Sequence, residues 1–234
     1  MRGSSKEFTF FRGKIKLVQP KTHRVSVDLV LFLSKVRGVS RSSKVIDLGA
    51  GFGFLSIVLA KKFGVKVLAL ERDEEMFHLL EENIRRNELS GLVTPVRGDV
   101  RRVEGIFERG SFDVVVTNPP FFPYGKGDDL HSEGDTTLKD FLKASSYLLR
   151  DGGYLNLMIP AFRIYETFLI LGSLNLPPRF MTLVYPKASK PPKVTFITSI
   201  RNIPGPLHVE GPLIINTPEG HYTEEVEGVL EGFL

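Results

Sequence analysis

Five short apolar runs, at 44–48, 66–70, 93–97, 112–117 and 153–159, alternate with helix-type patterns at 53–63, 73–88 and 136–149. None of the five runs shows polar alternation, so each reads as a strand buried on both faces. Strands separated by helices pair in parallel, because each crossover returns the chain to the same end of the sheet. A helix at 163–171 and two more strand-type runs, 179–185 and 193–200, bring the count to seven. The pattern predicts an α/β fold, a doubly wound and mainly parallel seven-stranded sheet. Ligands of such sheets sit at the carboxyl ends of the strands. Upstream, residues 13–18 read as a strand and 26–37 as a helix with Ser26 as N-cap. Downstream come a short apolar segment at 213–215 and an acidic helix at 223–233. The expected division is an N-terminal extension (1–42) packing on the ligand site, a core (43–201) and an acidic C-terminal extension (202–234), together forming one domain.

Val45 to Gly53 reads as a strand, a glycine-rich turn and a helix start. Glycine admits positive φ and lets a ligand approach the backbone. A dinucleotide fingerprint spaces its glycines as G-x-G-x-x-G, but here they run Gly49, Gly51, Gly53, and Phe54 holds the third fingerprint position. Asp47, two residues before the first glycine, favours a cationic ligand end and repels a pyrophosphate. That points to the sulfonium or amino group of S-adenosylmethionine. The next strand ends at Glu71, 18 residues after Gly53, where a carboxylate accepts ribose hydroxyls. The third strand leads to Asp99 and Val100, suited to the adenine amine and ring. Any one of these acids alone reads equally well as a cap or turn residue; three at successive strand ends point to one ligand. Gly49, Ala50, Gly51, Gly53 and Arg72 complete the expected cofactor shell.

The fourth strand runs into Asn118-Pro119-Pro120-Phe121. Prolines cannot continue the ladder and fix φ near −65°, giving a rigid turn. A planar amino nitrogen is a poor nucleophile because its lone pair is delocalised. The Asn118 side-chain oxygen and the Pro119 carbonyl can each accept one N–H hydrogen, aiming the lone pair and stabilising the charge that builds on nitrogen. Transfer is then a direct in-line displacement driven by positioning. Phe121 or Phe122 can stack the substrate ring. Residues 123–135 carry no core-forming pattern and are expected to be a lid or a plain loop.

These motifs resemble the class I amino-methyltransferases, whose fold is Rossmann-like. Over residues 12–230 the chain resembles the bacterial tRNA1(Val) adenine-N6-methyltransferase-like family. The resemblance includes Gln19-Pro20-Lys21, Ser26 to Leu31, Val184-Tyr185-Pro186-Lys187 and Gly220 to Glu225. It implies an antiparallel strand near the C-terminal end of the sheet. It also implies S-adenosylmethionine as cofactor, a tRNA substrate, and closure of the segment from Gln19 through Ser26 to Asp28 over the cofactor's methionine end. The Asn-Pro-Pro motif is shared with guanine-N2 methyltransferases of ribosomal RNA and with protein glutamine N5-methyltransferases. The glutamine enzymes carry a separate helical domain, for which about 43 residues ahead of the first core strand leave little room.

Charge is uneven. Residues 1–44 hold eleven Lys or Arg against two acids, whereas 202–234 hold six Glu and no Lys or Arg. Residues 187–201 add Lys187, Lys190, Lys193 and Arg201 without an acid. With Arg12, Lys14 and Lys16 these lysines are expected to meet an RNA backbone. The chain has no cysteine. That excludes disulfides, cysteine metal sites and ring-carbon methylation through a cysteine adduct. No metal is expected. Met1 to Phe11 lacks an apolar segment of signal-peptide length, and no run of ~18 apolar residues occurs. A cytoplasmic monomer is the expectation.

Overall fold

The computed structural model describes residues 6–20, 24–120 and 136–234. The chain opens with a hairpin, β1 (Lys6–Phe10) and β2 (Ile15–Gln19), then α1 (Val27–Lys35). The alternating region follows: β3 (Val45–Leu48), α2 (Phe54–Phe63), β4 (Val67–Glu71), α3 (Glu74–Arg86), β5 (Val93–Arg97), β6 (Phe112–Thr117), α4 (Leu138–Leu148) and β7 (Leu149–Pro160). A 3₁₀ segment, Val100–Gly105, links β5 to β6. The chain ends with α5 (Ile164–Ser173), β8 (Pro178–Lys187), β9 (Val194–Ile200), β10 (His208–Val209), β11 (Leu213–Asn216) and α6 (Glu224–Gly232).

The seven expected strands lie in the order β5-β4-β3-β6-β7-β9-β8, with β9 antiparallel to both neighbours. The sheet has nine strands rather than seven, because β10 and β11 each add a short parallel strand to β8. Strand order reverses between β3 and β6, which makes their carboxyl ends the switch point where such sheets bind ligands.

Successive side chains of a strand face opposite sides, and here each side meets its own core. On β6, Val114 and Val116 join the cluster under α1, α2 and α3, while Val115 joins the cluster under α4 and α5. On β3, Ile46 and Leu48 face the α4 side. Asp47 therefore points the other way, toward α2, into a position an apolar residue would normally fill.

Two local expectations need correction. Ser26 occupies the N-cap position of α1, but its hydroxyl makes no cap bond; only its carbonyl accepts from Leu29. The strand expected at 13–18 begins at Ile15, and a partner strand, β1, precedes it. Asn83 and Asn87, four apart on α3, clip this hairpin to the core. Asn83 Oδ1 accepts from Val18 N at 2.7 Å, and its Nδ2 donates to the carbonyls of Val18 and of Phe52 in the glycine turn. Asn87 bonds both backbone groups of Lys16 in the same way. The turn at 11–14 reaches α6, where Phe11 packs on Phe233 and Arg12 pairs with Glu231.

Candidate active site

The register of the sheet assembles the site. Leu48 pairs with Leu70 on one side and Thr117 on the other, and Glu71 pairs with Arg97. One residue further, Gly49, Glu71 and Asn118 stand side by side at the carboxyl edge. The Thr117 hydroxyl donates to the Leu48 carbonyl at 2.8 Å, locking the tips of β3 and β6 together.

The turn is shaped by hydrogen bonds to β4. Gly49 N and Ala50 N both donate to the Leu70 carbonyl at 3.0 Å. Gly53 enters α2 with φ +94°, and a Cβ there would lie 2.5 Å from Leu80 Cδ1, so packing alone demands glycine. Gly51 differs. It has φ +56°, and a Cβ would meet none of the described residues within 4 Å, so its glycine keeps the turn clear of them.

Asp47 has no solvent exposure. Its Oδ2 accepts from the Ser56 hydroxyl at 2.6 Å, while Oδ1 is buried with no hydrogen-bond partner among the described residues. Desolvation pushes its pKa up to about 7, opposed by the Ser56 bond and assisted by the negative charge of Glu71. Glu71 is aimed by backbone. Its Oε2 accepts from Gly51 N, and its Oε1 from Arg72 N and Asp73 N, all at 2.7 Å. Burial raises its pKa against those three bonds. Asp99 caps the 3₁₀ segment and takes the Arg101 guanidinium on both oxygens, which holds its pKa down at about 2. Arg72 lies 3.5 Å from Asp99 and also donates to Thr136. Val100 is buried beside it.

Asn118 is half-buried, and its Oδ1 is buried with no partner among the described residues. Pro119 is buried and Pro120 half-buried. Phe121, Phe122 and residues 123–135 lie outside the described residues, as does Lys21. Gln19 is buried at the end of β2, and its Oε1 accepts from Val25 N at 2.9 Å, bracketing the short segment ahead of α1. Ser26 is exposed.

The donor set fits S-adenosylmethionine. A carboxylate oxygen unpartnered among the described residues suits its cationic amino end, the missing side chain of Gly51 leaves room for its bulk, and Glu71 brings a backbone-aimed carboxylate to the same turn. Among the described residues no group of three or more His, Asp or Glu could hold a metal ion.

The basic residues do not converge as expected. Lys187 ends β8, and Lys190 and Lys193 lie on the β8–β9 loop that follows it at the carboxyl edge, since Val194 pairs with Pro160, the last residue of β7. Arg12, Lys14 and Lys16 instead lie on the N-terminal hairpin, where Lys16 N donates to Asn87 just past α3. Arg12 is paired with Glu231, and Lys14 donates to the Leu234 carbonyl. The N-terminal cations thus meet the acidic tail and not the site. Around that loop, Lys187 donates to the Pro218 carbonyl and Lys193 pairs with buried Asp28 at 2.8 Å, while Lys190 is exposed.

Sequence reasoning missed Asn83, Ser56 and the buried end of Asp28. The available signal was two asparagines four apart on the face of α3 that also carries Leu79, Leu80 and Ile84.

Residues 26–175 match the methyltransferase small domain family. The chain is 28% identical over 199 residues to a tRNA1(Val) (adenine(37)-N6)-methyltransferase of Bacteroides fragilis, covering 82% of this chain and 81% of that one. In fold it is similar to a predicted O-methyltransferase of Agrobacterium tumefaciens, with TM-score 0.71, 22% identity and coverage of 87% of this chain and 95% of that chain. It is also similar to M. jannaschii TYW2 in complex with AdoMet, with TM-score 0.57, 19% identity and coverage of 86% and 89%. With the switch-point edge, the glycine turn and two buried acceptors unpartnered among the described residues in place, the chain belongs to the methyltransferase small domain family and is an S-adenosylmethionine-dependent methyltransferase.

Proposed function

We propose that this enzyme methylates the exocyclic amino nitrogen of a nucleic-acid base, adenine N6 of a tRNA. The observation that carries the reading is the Asn118 side-chain oxygen, a buried acceptor without a partner among the described residues at the tip of β6. Such an acceptor costs about 1–3 kcal/mol when left unpaired, and an incoming N–H removes that cost. The name carried by the Bacteroides fragilis relative supports tRNA and adenine as the finer choice.

S-adenosylmethionine, when bound, would supply an electrophilic methyl group and be released as S-adenosylhomocysteine once the S–C bond breaks, the surplus amino proton passing to solvent. The Asn118 Oδ1 and the Pro119 carbonyl accept the two amino hydrogens of the base. This turns the nitrogen lone pair toward the cleft and stabilises the positive charge that develops during transfer. Pro119 and Pro120 keep the two acceptors in register. Asp47 takes the cofactor's amino end, Gly49, Ala50, Gly51 and Gly53 line its path, and Glu71 takes the ribose hydroxyls. Asp99 and Val100 take the adenine, with Asp99 shared by Arg101 and Arg72. Gln19 holds the segment leading to Ser26 over the methionine end. Phe121 or Phe122 stacks the target base, and Lys190 with its loop neighbours meets the RNA backbone.

Incubation with methyl-labelled cofactor and bulk tRNA, followed by nucleoside mass spectrometry, is expected to yield N6-methyladenosine. Label on protein with none on RNA would overturn the reading. Asn118→Ala is expected to keep cofactor affinity by calorimetry while turnover falls by roughly 10²-fold or more. Unchanged turnover would mean that the Asn118 amide does not accept from the target nitrogen.

A further inference from the structure

Helix α5 and the turn before it carry three large apolar side chains in the open: Phe162 at 65% exposure, Tyr165 at 77% and Leu169 at 59%. Their spacing of three and four residues puts them on one helix face. The opposite face is already used, with Thr167 and Leu171 buried and Ile164 and Phe168 packed on the α4-side core. Most of the stripe's area lies outside the packed core, and large exposed patches mark interaction sites.

Its position identifies the occupant. Strand β7 is parallel to β6 with Leu157 opposite Thr117, so both strands point to the same edge. Asn118 follows Thr117, and Phe162 follows the end of β7 at Pro160. At strand spacings, Phe162 lies on the order of 10–15 Å from the Asn118 tip. Ala161 N donates to the Lys193 carbonyl at 3.0 Å, which fastens the start of the stripe to the basic β8–β9 loop. Glu166, an acid on the stripe's flank, is held by both Nε and Nη2 of Arg163. Aromatic rings beside a lysine-bearing loop with exposed Lys190 at its tip, next to the proposed base-modifying centre, match how proteins hold single-stranded nucleic acid: rings stack bases and cations follow the backbone. Enzymes that act on an extruded base commonly read its flanking nucleotides through such contacts.

We infer that Phe162 and Tyr165 form a stacking platform for an unpaired nucleotide flanking the target base, with the Lys187–Lys193 loop carrying its phosphates. This rests on the reading that the substrate is RNA. The target base enters between Asn118 and the glycine turn, and a neighbouring base lies flat on the α5 rings. The platform thereby favours targets in loops, where neighbouring bases can unstack, over targets in duplexes.

The test uses the full chain and fluorescein-labelled tRNA. Phe162→Ala/Tyr165→Ala is expected to raise the Kd for tRNA by about fivefold to a hundredfold. KM for tRNA should rise with it, while cofactor affinity and Tm stay unaltered because both side chains are exposed. The salt dependence of binding should keep its slope, since stacking releases no counterions. Tyr165→Trp should restore affinity in the Phe162→Ala background. If the wild type methylates RNA and the double variant binds and turns over tRNA as before, the platform is wrong while the RNA reading stands. If the wild type labels protein and no RNA, both fall. If the double variant instead converts a dimer to a monomer in sedimentation, the stripe is a self-association surface and the inference is overturned.

Discussion

A carboxylate in a core position needs compensation, and beyond the Ser56 hydroxyl Asp47 would gain it from the cationic ligand end proposed above. Without that cation its pKa is raised from 3.8 to about 7. The folded pKa exceeds the unfolded one, so its contribution to stability is complete below about pH 4 and is lost as pH rises through about 7. The loss amounts to about 4 kcal/mol, since each pKa unit is worth about 1.4 kcal/mol. A cationic amino group next to Asp47 favours its ionised form. Cofactor affinity is therefore expected to rise from pH ~6 to ~7, with a proton released on binding, before the ligand's own amino group titrates near pH ~8. Calorimetry in buffers of different ionisation enthalpy measures that release. A pH-independent affinity with no proton release would show that the cofactor's amino end lies elsewhere. Asp47 was legible in the sequence because an acid between Ile46 and Leu48 contradicts its apolar surroundings. Asn118 was legible because prolines on its C-terminal side mark a rigid turn. Arg101, which occupies Asp99, was not, since nothing in sequence says which of several nearby arginines reaches back.

At the level of elements, the strands were readable because a sheet buried on both faces leaves uninterrupted apolar runs. The hairpin partner β1 was not, because Lys6-Glu7-Phe8-Thr9-Phe10 is short, charged and not part of that sheet. The clip formed by Asn83 was invisible for a different reason. An asparagine on a helix reads as a surface residue, and its partner Val18 lies 65 positions away. That clip joins α3, β2 and the glycine turn through one amide. Asn83→Ala strands Val18 N and two carbonyls in a buried setting, at about 1–3 kcal/mol for each unsatisfied group. A loss of roughly 3–5 kcal/mol is expected in urea denaturation, with weaker cofactor binding, because the Phe52 carbonyl is no longer held. A loss within the range of ordinary surface changes would mean that water replaces the amide and that the clip is incidental.

For the whole molecule, the uneven charge is split between two places: Arg12 and Lys14 of the hairpin turn are engaged by the acidic C-terminal tail, while the β8–β9 loop emerges at the carboxyl edge. Lys190→Glu is expected to reduce the salt slope of tRNA binding by about one or more phosphate contacts, whereas Arg12→Glu should leave the slope nearly unchanged. Equal effects from the two would place RNA along the hairpin as well. The single reversed strand, β9, has a further consequence. Because it runs against its neighbours, β9 joins β8 through a hairpin turn rather than a helical crossover, and that turn emerges at the same edge as Asn118. Its ends are anchored, Lys187 to Pro218 and Lys193 to Asp28 and Ala161, but the exposed stretch around Lys190 between them can vary without altering strand order. On the proposed reading, loop exchange there would shift substrate choice while the tips of β3 and β6 stay as they are.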